Sequence, residues 1–225
     1  MKRKKFRWPD TMKPPMKWLV ELANGLGGEE FFKFKEAIKQ EWLDSQTNGT
    51  KFHDEREEEL YKNGFALNPW DNFEYPVKQF DKEHDNQSLV EDLYTLEDGC
   101  YPELLVWLPV GNICIMGQID VPYLGTESGN RFADVDDYKT NKKMSRSSSE
   151  KYFEPFTHLD TSKITNYSLQ MSGYMYILEN WGYKPRNLAL THYTNYDPTT
   201  GKRYELKYYR DEIKQMFEIF AKIHG

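Results

Sequence analysis

The chain has 225 residues, a formal net charge of −6 at pH 7, and a composition that is 38% hydrophobic and 16% aromatic. This length favours one domain with peripheral additions, and no apolar run reaches the ~20 residues of a membrane span, so we expect no membrane partner. The acidic balance argues against nonspecific coating of nucleic acid but suits an enzyme that holds a metal with acids. The basic start lacks a following apolar segment, and Cys100 and Cys114 make no disulfide framework, so we expect a cytoplasmic protein.

Helical patterns dominate the N-terminal part of the chain. Apolar spacing predicts helices over residues 16–24 and 29–45. A third helix is predicted to begin at Gly49. His53 and Glu57 are four residues apart in this third helix and therefore share one of its faces.

These patterns predict a division of the chain into two parts. Residues 1–48 form an N-terminal helical region, and residues 49–225 form the core of a single domain. Residues 64–99 carry several prolines and turn-forming residues and are expected to be an insert with a short helix near residues 86–97.

The predicted sheet follows this insert. Apolar alternation predicts strands over residues 103–108, 113–122 and 132–139, and the glycine-rich turn at residues 125–130 folds the second strand back onto the third. The order of helix, three strands, helix and strand indicates an α/β protein with a mixed sheet.

The C-terminal part continues this alternation. A helix is predicted over residues 160–180 and is expected to end at Gly182. A strand over residues 186–193 then leads through a turn at residues 197–201, which we interpret as a hairpin. The last helix is predicted over residues 210–224 from its apolar spacing.

Three residues at the ends of two neighbouring strands carry candidate chemistry: Asp120, Asp137 and Lys139. In an extended chain Asp137 and Lys139 point to the same face, and the hairpin brings Asp120 towards Asp137. Paired carboxylates suit a hard divalent cation such as Mg²⁺ or Mn²⁺, and a lysine beside them stabilises negative charge. The set predicts metal-assisted hydrolysis of a phosphodiester.

Four short motifs stand in order around these residues: Gly49-Thr50-Lys51-Phe52-His53 with Glu57, Gly117-Gln118-Ile119-Asp120, Asp137-Tyr138-Lys139-Thr140, and Gln170-Met171-Ser172-Gly173-Tyr174. Together they resemble the PD-(D/E)xK nuclease superfamily, and within it the RecB-like branch of phage-type exonucleases and Cas4 nucleases. Any one motif recurs by chance, but four in order over roughly residues 45–193 form a specific pattern. The chain departs from the Cas4 group, because two cysteines cannot hold an iron–sulfur cluster that needs four.

The resemblance implies a restriction-endonuclease-like core, with a mixed central sheet flanked by helices. It also implies a site for Mg²⁺ or Mn²⁺ whose ligands are His53, Asp120, Asp137 and the carbonyl of Tyr138. Lys139 would stabilise the attacking nucleophile and the transition state.

Further candidate residues follow from the same motifs. Gln170 and Tyr174 are four apart on one helix face, and the resemblance implies that they act with the catalytic set by positioning the DNA strand. Glu57 and Glu103 are candidates for acids that support the metal ligands. A basic segment after the third motif supplies candidate DNA-binding residues, namely Lys142, Lys143 and Arg146.

Each candidate also has a plainer interpretation. His53 taken alone would be a histidine on a helix surface, and Lys139 would be an exposed lysine paired with Asp137. Gln170 and Tyr174 would be helix-packing residues. The four motifs in order favour the functional interpretation of His53, while the strand pattern alone does not decide between the two for Lys139.

Two acids depart from the expected pattern of a buried strand. Asp134 and Asp136 face away from Asp137 and Lys139, so that face is either partly solvated or carries acids paired with basic residues elsewhere. The other histidines show no ligand spacing and are expected at the surface: His84, His158, His192 and His224.

Together these observations predict a stand-alone, metal-dependent DNA exonuclease of phage or prophage type, acting in recombination, replication or DNA processing. Its partners would be DNA and, by analogy, a single-strand annealing protein or a replisome component. One alternative is a structure-selective or restriction-like endonuclease that uses the same site. Another is a catalytically silent nuclease fold that serves as a DNA-binding module and would hold DNA without cleaving it in Mn²⁺.

Overall fold

The computed structural model describes residues 2–5, 28–80, 96–141 and 143–224. Its helices are α1 Gly28–Asn63, α2 Lys163–Asn180 and α3 Arg210–His224. Its strands are β1 Lys2–Lys5, β2 Phe65–Leu67, β3 Glu74–Pro76, β4 Gly99–Cys100, β5 Leu104–Val110, β6 Ile113–Ile119, β7 Val121–Glu127, β8 Asn130–Asp136, β9 Tyr138–Lys139, β10 Lys184–His192 and β11 Lys202–Glu205. The helix predicted over residues 16–24, and most of the one near residues 86–97, lie outside the described residues.

The strands form one large mixed sheet, a smaller sheet and a hairpin. The large sheet has the order β11-β10-β8-β7-β4, and β9 extends it by pairing with β10. Strand β10 runs parallel to β8 and β9, whereas β7 pairs antiparallel with β8 and β11 pairs antiparallel with β10. The smaller sheet has the order β1-β6-β5, and β2 pairs with β3. The predicted α/β class, a mixed central sheet flanked by helices, is confirmed.

The chain changes sheets at Asp120. The sequence predicted one strand over residues 113–122, but β6 pairs with β5 and β7 pairs with β8, with a bend at Asp120 between them. The β5 partner strand stops at the same level, because Glu103 has a positive φ of 55° that removes it from the extended conformation. The ladder between the two strands therefore ends, and the chain is free to turn into the larger sheet.

Helix α1 is one continuous helix, where the sequence predicted two helices separated before Gly49. Gly49 lies inside the helix, which costs about 1 kcal/mol relative to alanine but is tolerated in a long helix. A β-carbon at Gly49 would lie 3.8 Å from Thr140 Oγ1, so the helix passes close to the chain that follows β9. The helix ends at Gly64, whose φ of +75° allows a left-handed terminus that most residues resist.

Helix α2 packs on β8 and β10 of the large sheet, and α3 packs on α2 and on β5 and β6 of the smaller sheet, so that together they enclose the main core. Ser162 caps α2 by accepting a hydrogen bond from the Thr165 amide, and Gly182 follows its end with a φ of +89°, as predicted. Core side chains come from strands and both helices, including Leu104, Ile115, Met175 and Phe217. Each such buried side chain contributes about 1.5–3 kcal/mol to folding.

The opposite face of the sheet carries a smaller apolar cluster and two buried acids. Ala66, Tyr75 and Tyr123 belong to the cluster beneath the β2–β3 hairpin. Asp134 and Asp136 are buried on this face. They are paired with Arg186 and Arg203, respectively. Of the two possibilities left open by the sequence, pairing with basic residues is therefore the one observed.

The composition led us to expect free cysteines and no membrane-spanning segment. Cys100 and Cys114 are both free thiols and both buried, and burial raises the pKa of the Cys100 thiol well above its usual range. Within the described residues, none of the helices combines the length and apolar character needed to cross a bilayer.

Candidate active site

The candidate site lies where β7, β9 and helix α1 meet. The β7–β8 hairpin pairs Val121 with Asp136, so the preceding residue of β7 and the following residue of β8 are brought together. These residues are Asp120 and Asp137. The Tyr138 amide donates a 2.9 Å hydrogen bond to Asp120 Oδ2, which fixes the carboxylate against the start of β9.

Helix α1 and the start of β5 add a histidine and a second carboxylate. His53 Nδ1 lies 3.2 Å from Asp120 Oδ2. One ligand atom from each of His53, Glu103 and Asp120 lies within 4.8 Å of the other two. Glu103 holds the left-handed φ of 55° described above, a conformation that is uncommon outside glycine and is concentrated at functional sites.

The chemistry of these donors fits a divalent cation. Ligand atoms held about 2.1 Å from a single ion lie up to about 4 Å apart, so small side-chain movements would close this set around one ion. Two carboxylates suit Mg²⁺ or Mn²⁺, while the imidazole favours the softer Mn²⁺. Burial lowers the pKa of His53, so its ring is neutral at pH 7 and retains a lone pair for a metal.

Asp137 and Lys139 form a buried ion pair beside this cluster. Lys139 Nζ contacts Asp137 Oδ2, as the alternation of β9 predicted. Burial raises the pKa of Asp137 to about 7, and the charge of Asp120 adds to this rise. Burial also raises the pKa of Asp120. Burial would lower the pKa of Lys139, but the two carboxylates outweigh it and hold the pKa above its usual value, so the lysine is a cation at neutral pH.

Tyr138 presents its backbone towards the site. In β9 the carbonyls of Asp137 and Lys139 accept hydrogen bonds from β10, at 2.8 Å each, from the amides of Thr191 and Tyr193. Backbone groups alternate between the two edges of a strand, so the amide and carbonyl of Tyr138 point to the other edge, where Asp120 lies. This orientation suits the predicted metal-binding carbonyl, whose role stays a prediction.

Helix α2 supplies the wall behind the ion pair. Gln170 Nε2 donates a 3.0 Å hydrogen bond to the Tyr174 hydroxyl, and burial raises the pKa of Tyr174 to about 12. A β-carbon at Gly117 would lie 2.3 Å from Tyr174 Cε1, so only glycine at this position admits the ring. The second and fourth motifs are therefore in direct contact. Lys139 Nζ also lies 5.1 Å from the centre of the Tyr167 ring.

An open cleft of about 490 Å³ leads to His53 and Glu103. Glu57 lies on its wall, as do three residues that the sequence analysis did not select: Thr50, Asp54 and Gln118. Gln118 lies within the second motif, and Tyr167 precedes Gln170 by three residues on the same helix face, so both could have been found from motif spacing. Thr50 lies within the first motif, whereas no signal in the sequence distinguishes Asp54.

Two of the three predicted DNA-binding residues belong to the part of the chain that the structure describes. Lys142 is outside the described residues, whereas Lys143 and Arg146 are exposed.

The expectation of a surface position is wrong for His192, which is buried. Its ring contacts the Asn141 carbonyl at 2.6 Å and holds the chain that leaves β9. His84 is outside the described residues.

Comparisons with known proteins add little to this geometry. No family model matches the chain, and no curated protein matches it. Among solved structures, 61% of the chain is similar to 47% of a candidate exonuclease from Eubacterium rectale, with 12% identity and a TM-score of 0.34. In a second comparison, 93% of the chain is similar to 84% of the protein SSO0001, with 16% identity and a TM-score of 0.38. The chain thus spans less than half of the Eubacterium protein, and likenesses this weak carry no argument about function.

Proposed function

We propose that this chain is a divalent-metal-dependent deoxyribonuclease that hydrolyses phosphodiester bonds. The observation that carries the proposal is the approach of His53, Glu103 and Asp120 to one another beside the buried Asp137–Lys139 pair. These residues come from four separate segments of the chain. Their convergence is expected for a catalytic site, and two of them, His53 and Glu103, line the open cleft.

The residues divide the chemistry between them. His53, Glu103 and Asp120 would hold Mg²⁺ or Mn²⁺, with Asp137 and the Tyr138 carbonyl alongside. The bound cation would supply Lewis-acid stabilisation of a phosphoryl oxygen and would lower the pKa of water. Water attacks phosphorus in line with the leaving 3′ oxygen, and the product strand keeps a 5′-phosphate.

Lys139 acts as a fixed positive charge in this scheme. Its pKa is held above the usual value, so it does not serve as a neutral base at pH 7. The ammonium stabilises the negative charge that builds on the attacking oxygen and on the phosphoryl oxygens. Asp137 keeps the ammonium in place, and Gln170 and Tyr174 position the strand from the α2 side.

Within this class we propose an exonuclease of the RecB-like type that acts on DNA in the cytoplasm, in phage or prophage recombination, replication or DNA processing. The order of the four motifs supports this choice. A single-strand annealing protein or a replisome component is the proposed protein partner.

The test is cleavage of end-labelled linear DNA and of covalently closed circular DNA, each with Mg²⁺, Mn²⁺ or EDTA. We expect metal-dependent loss of the linear substrate alone. Lys139→Ala should reduce the rate by about 10²–10³-fold, the usual effect of removing one transition-state contact. Lys214→Ala, at an exposed position on α3, is the matched control and should cleave at the wild-type rate.

The other outcomes are equally informative. Nicking of the circular substrate, abolished by Lys139→Ala, would replace the exonuclease by an endonuclease that uses the same site. Binding of DNA without cleavage in either metal would refute the enzyme and leave a nuclease-fold binding module.

A further inference from the structure

A row of basic side chains runs across the sheet from the candidate active site. Lys139 in β9 is opposite His192 in β10, and His192 is opposite Lys202 in β11. Residues that face each other across neighbouring strands lie on the same side of a sheet. At ~4.8 Å per strand, the backbone at Lys202 lies ~10 Å from the backbone at Lys139.

A second open pocket, of about 620 Å³, lies at the far end of this row. Its wall includes Arg146, Ile164 and Tyr204. Tyr204 follows Lys202 by two residues and therefore lies on the same side of β11. The Arg146 guanidinium lies 5.3 Å from the centre of the Tyr204 ring, and Lys202 Nζ lies 5.5 Å from it. One aromatic ring is thus contacted by two cations.

Helix α2 connects this pocket to the active site. Ile164 lines the pocket, and the Lys139 ammonium lies 5.1 Å from the centre of the Tyr167 ring. These two residues are three apart on α2 and are neighbours on one face, so the pocket begins about one helical turn from Lys139.

The two cations beside the Tyr204 ring, Arg146 on the pocket wall and Lys202 next to it, are available to a ligand. Within the part of the chain that the structure describes, neither Arg146 nor Lys202 has an acidic group within 4 Å. Glu205 is the acid on the pocket wall. The neighbouring Arg203 also lines the pocket, but it differs because its guanidinium pairs with Asp136 at 3.3 Å.

We propose that Arg146, Lys202 and Tyr204 form a subsite for a single nucleic-acid strand. A base stacks on the Tyr204 ring, and Arg146 and Lys202 move from the ring to the flanking phosphates. The inference rests on the proposed nuclease function, since it requires a strand whose scissile phosphate lies at Lys139. At roughly 3.4 Å per stacked nucleotide, the subsite holds the strand about three nucleotides from the cleaved bond.

The first test measures binding without cleavage. A labelled single strand of about 20 nucleotides, long enough to span such a groove, is titrated in EDTA and followed by fluorescence anisotropy. Tyr204→Ala should weaken binding about tenfold, while Tyr204→Phe should retain it, because stacking needs a ring and not a hydroxyl. The double variant Arg146→Gln with Lys202→Gln should reduce the slope of log affinity against log salt by about 1.4, or 0.7 for each lost phosphate contact.

Lys214→Gln is the matched control and should leave both the affinity and the slope unchanged. Thermal unfolding of each variant confirms that it is folded. Wild-type affinity in Tyr204→Ala together with an unchanged salt slope in the double variant would overturn the subsite.

The second test separates the subsite from the chemistry. Bis(p-nitrophenyl) phosphate is too short to reach Tyr204, so its hydrolysis in Mn²⁺ should be equal in wild type and in the pocket variants and lost in Lys139→Ala. Equal losses on this substrate and on long strands would overturn the subsite, because the pocket would then act on the site itself. A wild-type protein that binds strands through Tyr204 but hydrolyses neither substrate would refute the proposed nuclease and support the subsite.

Discussion

Two groups of acids in or next to the β7–β8 hairpin, Asp134 on one side and Asp120 with Asp137 on the other, have different surroundings. Asp134 receives hydrogen bonds from Arg186, from Asn68 at 2.8 Å and from Asn187 at 2.8 Å. We call these four residues the Asp134 network. Asp120 and Asp137, on the other side of the chain, share one lysine and have raised pKa values.

The difference shows how a structural acid and a reactive acid are told apart. The Asp134 network supplies enough donors to compensate for burial, so Asp134 stabilises the fold and joins β8 to β10 and the β2–β3 hairpin. Asp120 and Asp137 lack this compensation. Their negative charge is stabilised only in part by the protein, and a divalent cation would supply the remainder.

The largest expected effect comes from replacing one acid of each group by asparagine and comparing the two variants. Asp120→Asn should reduce DNA cleavage by about 10³-fold, since it removes a proposed metal ligand, and should leave the free energy of unfolding nearly unchanged. Asp134→Asn should lower the free energy of unfolding by about 2–3 kcal/mol, because Arg186 loses its buried partner. Urea denaturation and a cleavage assay on the same preparations measure both quantities.

Cleavage is compared per folded molecule, so that partial unfolding of Asp134→Asn is not mistaken for a catalytic defect. If Asp134→Asn abolished cleavage while remaining folded, or if Asp120→Asn unfolded the protein, the distinction between the two groups would be wrong.

A second prediction concerns the cation itself. Mn²⁺ at about 100 times its dissociation constant should stabilise the folded protein by about 2.7 kcal/mol and raise the melting temperature by roughly 5–10 °C. Glu103→Gln and Asp120→Asn should lose most of this shift. Glu218→Gln, an exposed acid on α3, is the control and should keep it. A full shift in Asp120→Asn would place the cation elsewhere.

The smallest expected effect is a gain in stability. The pKa of Asp137 is raised from 3.8 to about 7, so between these pH values the folded state binds a proton that the unfolded state has released. Stability must therefore fall as the pH rises through this window and level off above it. In EDTA, Asp137→Asn should reduce this slope, to which Asp136 contributes with the same sign because its pKa is raised to about 6. The variant should stabilise the protein at pH 8 by about 1 kcal/mol, since the charge of Asp120 still balances Lys139.

Denaturation between pH 4 and 8 checks this sign. Loss of stability in Asp137→Asn at pH 8 would mean that Asp137 belongs with the structural acids. The variant should be inactive in either case, because the lysine loses the carboxylate that positions it.

Much of the fold could be predicted from local patterns. The bounds of α3 agree with the prediction, and the β10–β11 hairpin forms around the predicted turn. The change of sheets at Asp120 could not be predicted, because the apolar pattern runs through it without a break and the left-handed φ of Glu103 opposite it falls on a residue other than glycine. The pairing of Asp134 with Arg186 could not be predicted either, since the two residues are 52 positions apart in the chain.

The candidate site shows the same division. Motif order selected His53, Asp120, Asp137 and Lys139, because these residues recur at fixed spacings within short segments. The proximity of Glu103 to His53 depends on packing between distant segments of the chain, which local patterns do not reveal. The sequence analysis also did not select Tyr204, since its position relative to Lys139 follows from the strand register, which no local sequence pattern indicates.

The contact between Gly117 and the Tyr174 ring has a consequence for sequence divergence. Gly117 needs no unusual backbone angle, so its requirement for glycine comes from the ring alone. The two positions are therefore tied to each other although they are 57 residues apart. Among related chains, a side chain at position 117 should accompany a smaller residue at position 174, and the pair should change together or not at all.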